Sequence, residues 1–81
     1  MKTVTAKIVL KYIDNNYIEL DKITNYFINL PIGLVHHRDK LTILIYTLLT
    51  VDLFTLLGTL IAEQNNKGLL SVKMEMYEDT C

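Results

Sequence analysis

This chain of 81 residues has no tryptophan, one cysteine, one proline and three glycines. Each scarcity excludes something. The lone Cys81 rules out an intramolecular disulfide and fits a reducing compartment, so a cytoplasmic location is expected. Three scattered glycines build no phosphate-cradling loop. An excess of either charge is missing as well: eight Lys and Arg against nine Asp and Glu leave a net charge of −1. The basic residues are spread along the chain, so no nucleic-acid partner is expected.

Apolar residues are abundant, at 51% of the chain. A domain of this length buries roughly 60–65% of the surface that its unfolded chain exposes. It cannot hide so much apolar surface inside itself, and a shared interface is the economical outlet.

The greasiest stretch is Leu41–Ala62, where Asp52 is the only charge. Each Leu, Ile, Val or Phe favours membrane insertion by roughly 0.3–0.6 kcal/mol, and a central Asp opposes it by roughly 2.5–3.5 kcal/mol. On hydropathy alone, a single membrane span over 41–62 stays open as an alternative. Periodicity separates the two readings. From Leu53 onward, Leu53, Phe54, Leu56, Leu57, Leu60 and Ile61 share one helical arc of roughly 160°. Thr55, Gly58, Thr59, Ala62, Glu63, Asn65 and Asn66 take the other side. Backward through Leu41–Val51 the segregation vanishes. That change of character fits a buried strand followed by a one-faced helix better than a single span. Asp52 is the expected helix cap, since its carboxylate can accept an orphan N–H and complements the positive end of the helix. Gly68 is the expected stop.

Lys2–Tyr12 alternates, with Val4, Ala6, Ile8, Leu10 and Tyr12 on one face, as a half-exposed strand does. Asp14-Asn15-Asn16 is turn chemistry. Asp21–Leu30 places Ile23, Tyr26, Phe27 and Leu30 on one helical arc and predicts a short helix, started by Asp21 and stopped by Pro31. Ile32–His36, with Gly33, suits an edge strand, and His37-Arg38-Asp39-Lys40 a polar turn. Leu41–Leu49 suits a central strand, apolar on both faces. Leu69–Tyr77 alternates again, and residues 78–81 complete the chain as a polar tail.

The expected order is strand, helix, strand, strand, helix, strand in one α+β domain spanning 1–77. That is the ferredoxin-like split βαβ arrangement, an antiparallel four-stranded sheet with two helices on one face. The alternative is a three-strand meander, with Tyr17–Leu30 as a strand, then one helix and a final strand. Ile8, Ile13, Ile18, Ile23 and Ile28 recur every five residues, a period that matches neither element type.

No constellation of catalytic groups emerges. His36 and His37 are adjacent, so on an extended chain they point to opposite faces, and Asp39 alone does not complete a metal site. His37-Arg38-Asp39 matches the opening of a protein-kinase catalytic loop, but position 44, where that loop needs Asn, is Leu44. Asp14, Glu19 and Asp21 lie in or beside a loop with no rigid spacing. Met74 and Met76 read as core packing on the last strand. No Ser-His-Asp set is present, and no cysteine nucleophile with a base nearby. Neither cofactor nor metal is expected, and no enzymatic activity.

The expected function is therefore a small binding or assembly protein that forms a homo-oligomer, with a further protein partner open. The length and the AT-rich residue usage suit a phage, viral or mobile-element accessory protein binding a host component. The alternatives are the single-span membrane protein and an enzyme subunit whose site forms between chains. In the central strand, Leu41, Ile43, Ile45 and Leu49 share one face and Leu44, Tyr46 and Leu48 the other. Whichever set faces the helices, the second is left over. Val9, Leu44, Tyr46 and Leu48 are the expected interface residues, bare in a monomer and paired sheet-on-sheet in a dimer.

Overall fold

A computed structural model of the chain describes residues 2–14, 16, 18–30 and 32–80. Strand β1 (Lys2–Tyr12) leads to helix α1 (Leu20–Phe27), then strands β2 (Leu34–Asp39) and β3 (Thr42–Leu48). Helix α2 (Val51–Gln64) follows, then a 3₁₀ turn (Asn65–Lys67) and strand β4 (Leu69–Thr80). The strands form one sheet in the order β2-β3-β1-β4, every neighbour antiparallel. This is the ferredoxin-like split βαβ arrangement. The meander alternative falls away, because residues 20–27 are helical. Expectations resting on Asn15, Tyr17, Pro31 and Cys81 lie outside the described residues.

Alternation decides what is buried. Ala6, Ile8, Leu10 and Tyr12 of β1 and Ile43 and Ile45 of β3 point to the helices. There they meet Ile23 and Phe27 of α1, one turn apart, and Leu53, Leu57 and Leu60 of α2. Each of these side chains is buried, and together they form the core.

Helix α1 stops at Phe27 rather than at Leu30. The Leu30 N–H turns back to donate to the Phe27 carbonyl at 3.1 Å. Gly33 packs so close to the same carbonyl that a Cβ there would collide with it. Ile32 and Gly33 both have positive φ, 74° and 38°, which no strand ladder accommodates. Strand β2 therefore starts at Leu34 instead of Ile32. It runs on through His37, Arg38 and Asp39, the residues expected to turn, with a bulge between His37 and Asp39. The turn is shorter: Leu41 N–H donates to Asp39 Oδ1 at 2.9 Å.

The Asp52 cap is corrected. Helix α2 begins at Val51, and Thr50, with extended backbone, is its N-cap. Thr50 Oγ1 accepts the Leu53 N–H at 3.2 Å. Asp52 is already inside the first helical turn, where its charge complements the dipole but its side chain caps nothing. Gly68 ends the segment at φ 84°, in the left-handed conformation that glycine adopts without strain.

Residues 78–80 are also corrected, from tail to strand. β1 starts at Lys2, and β4 pairs along it, with Val4 opposite Glu78 and Lys2 opposite Thr80. The stretch 41–62 is split by Leu49-Thr50 into a strand and a helix. Among the described residues, no helix is long and apolar enough to cross a membrane.

Candidate functional site

Two helices cover one side of the sheet, and the register fixes what lies on the other. Leu48 of β3, Thr5 of β1 and Tyr77 of β4 form one row across this open face. The next row is Leu34, Tyr46, Lys7 and Glu75, and the third is His36, Leu44, Val9 and Lys73. The face thus has two halves. Toward β2 it is apolar, with Leu34, Leu44, Tyr46 and Leu48; toward β4 it carries Lys7, Lys73 and Glu75.

The four residues expected at an interface do share this face. They are not bare, however. Leu44 is only 7% exposed, and Val9, Tyr46 and Leu48 are half-buried. In the ladder Leu44 is flanked by Val9 and His36, and its strand neighbours on this face are Thr42 and Tyr46. A central-strand side chain loses most of its water to such neighbours without any second layer. The more accessible apolar surface sits at the margins, on Leu34 at 60% and Tyr77 at 49%. Sequence reasoning missed both. Leu34 lay in a strand with shifted bounds, and Tyr77 followed the polar set of its strand. Only the pairing register brings Leu34 beside Tyr46 and sets Tyr77 in the row of Leu48, across Thr5.

The charged half is internally matched. Tyr77 donates its hydroxyl to Glu75 Oε2 at 2.5 Å. That bond holds the Glu75 carboxyl below its ordinary range, with Lys7 and Lys73 pulling the same way. The same bond holds the Tyr77 phenol up, and the Tyr46 hydroxyl adds to it.

A second feature lies between the helices, a shallow cleft of about 270 Å³ lined by Lys22, Asn25, Tyr26 and Glu63. Tyr26 donates to Glu63 across it, and Lys67 donates to Glu19 at its end. Lys22 stands 3.6 Å from the same Glu19 carboxylate. The Tyr26 phenol is pushed up, chiefly by its bond to Glu63, and the Glu19 carboxyl is pulled down, chiefly by Lys67. The pairs act as struts, tying α1 to α2 and to the turn after it.

A comparable cleft, lined by Thr3, Val4, Leu48, Leu49 and Thr50, opens where β3 hands over to α2. His36 and His37 lie opposite Leu44 and Ile43 respectively, on opposite faces of the sheet. Among the described residues, no three His, Cys, Asp or Glu side chains gather as metal ligands would. No protein-family model, no curated protein and no solved structure matches this chain.

Proposed function

We propose that this chain is a non-enzymatic binding and assembly protein that self-associates through the open face of its sheet. One observation carries the reading: among the described residues a four-stranded sheet is covered by helices on one side only, and its other side joins Leu34, Tyr46 and Leu48 into an apolar area, with Tyr77 across Thr5 from Leu48. The charged half beside it suits the rim of an interface, because Glu75 sits between two lysines and needs no new partner when water is excluded nearby. Twofold packing of one sheet on another requires a single self-complementary patch. Tyr46, central in the apolar half, is the aromatic anchor. The lone cysteine suits a cytoplasmic setting.

Sedimentation of the whole chain over a micromolar to millimolar range tests this. The wild type is expected to associate, and Tyr46→Lys to weaken that association about tenfold or more while far-ultraviolet circular dichroism stays unchanged. A wild type that stays monomeric throughout would overturn the reading. So would a monomer that binds a single-stranded oligonucleotide with loss of binding in Tyr46→Lys.

A further inference from the structure

The two edges of the sheet are built differently. The β2 edge is six residues long, bulged at its end, rich in charge and histidine, and preceded by the left-handed Ile32-Gly33 step. Such features keep a free edge from recruiting another strand. The β4 edge shares some of these at its start, with left-handed Gly68 before it and a register shift between Leu69 and Ser71, and it too carries charge, but from Ser71 onward it runs regular. It is twelve residues long, lacks proline and glycine, and pairs with β1 without a break in register from Ser71 to Thr80. Among the described residues, no strand covers its outer side.

We infer that β4 pairs with β4 of a second copy, antiparallel about a twofold axis through Met74, to make one continuous eight-stranded sheet. This goes beyond the proposed face contact and does not depend on it. Charge, together with the length of overlap, argues for a second copy in this register. A twofold axis perpendicular to the sheet keeps each side chain on its own face, so it must pass through a residue that pairs with itself. Centred on Met74, Lys73 of each copy lies opposite Glu75 of the other, and Val72 opposite Met76. Centred one residue earlier, Lys73 meets Lys73; one residue later, Glu75 meets Glu75. Like charges directly opposite are destabilising. The Met74 register also overlaps nearly the whole strand. Only a second copy of this chain supplies the complementary pattern by symmetry.

The apolar surface on this side fits the same occupant. Glu63, bonded to Tyr26, marks the flank of α2 that faces α1. Phe54, 55% exposed, is on the opposite flank, away from α1, and on β4 Met76 is 61% exposed. Edge pairing brings the two Phe54 flanks toward each other. It leaves the open faces of both copies on one side, free to stack, so the two contacts together close a four-chain assembly.

Charge reversal is the test. Lys73→Glu and Glu75→Lys are each expected to weaken the contact about tenfold or more in sedimentation, since each turns two symmetric attractions into repulsions. The double swap K73E/E75K restores opposite charges and is expected to recover association, with folding checked by thermal melts. A register-specific readout follows from Met74→Cys in a Cys81→Ser background. Residues directly opposite have Cα atoms about 4.5–5.5 Å apart, within disulfide reach, so oxidised glutathione should link the copies. Val72→Cys, roughly 13 Å from its own copy, should not link. Single reversals without effect, a double swap weaker than either single, or equal linking at 72 and 74 would overturn the edge contact. Lys73 and Glu75 also border the open face, so the Met74→Cys link, on the helix side of the sheet, is the readout that separates this edge contact from the face contact tested by Tyr46→Lys.

Discussion

The Tyr12 hydroxyl donates to Gln64 Oε1 at 2.9 Å, and both side chains are buried, at 2% and 0% exposure. This bond joins the end of the first strand to the last turn of α2. Gln64 Nε2 has no partner among the described residues, so the amide is half satisfied and depends on the tyrosine.

Tyr12→Phe should therefore be costly for its size. It strips the remaining partner from a buried amide, at about 1–3 kcal/mol. Tyr12→Phe combined with Gln64→Leu should recover much of that loss, because no polar atom is then left unpaired. Urea unfolding of the three variants measures both effects.

Alkaline pH should act through the same residue. Burial pushes the Tyr12 phenol up to about 12, from 10 in the open chain. The fold favours the neutral phenol, so its contribution is whole below pH 10 and is lost as pH rises through 10 toward 12. Two units correspond to roughly 3 kcal/mol. Tyr12→Phe should flatten this part of the stability profile in alkaline denaturation, leaving the changes from Tyr26 and Tyr77, whose phenols are also held up.

Capping distinguishes Thr50 from Asp52. Thr50→Ala should cost about 0.5–2 kcal/mol, and Thr50→Asp or Thr50→Ser little. Asp52→Asn should cost only about 0.3–1 kcal/mol, the dipole contribution, and that loss should shrink at high salt. Chemical denaturation at two ionic strengths separates them.

Two glycines should respond oppositely to alanine. Gly33, at positive φ and pressed on the Phe27 carbonyl, should lose at least about 1–3 kcal/mol as Gly33→Ala. Gly58, on α2 with open space around it, should gain about 0.5–1 kcal/mol as Gly58→Ala. Melting temperatures of the two variants should move in opposite directions.

How much of this was readable in the residues depends on whether the cause was local. Strand β1 was legible to its ends, because Val4 to Tyr12 alternate without interruption and one face of them enters the core. Strand β3 was legible as central because it is apolar on both faces. The start of α2 was misplaced by two residues because Thr50 and Asp52 are both good caps, and only backbone geometry chooses between them. The bounds of β2 were lost because Ile32 is driven to positive φ by the approach of Gly33 to Phe27, a tertiary contact. Strand β4 looked finished at Tyr77 because Glu78 and Asp79 are poor strand formers; the ladder with β1 carries them along. The apolar margin of the open face was hidden for a related reason. Leu34 and Tyr77 are separated in sequence from Tyr46 and Leu48, and register alone makes Leu34 the neighbour of Tyr46 and sets Tyr77 in the row of Leu48.

The strand order has a kinetic consequence. β1 is synthesised first, yet it sits between β3 and β4. Its first neighbour arrives only at Thr42 and its second only from Leu69, and Lys2 finds its mate in Thr80. Pairings of such large sequence separation require loop closure before they repay it, which slows folding. On the ribosome, an emerging chain of this kind holds an apolar strand with neither neighbour, and then with one. The sheet closes only when nearly all of these residues have left the exit tunnel, and until then the unpaired edge of β1 is the segment most in need of a chaperone.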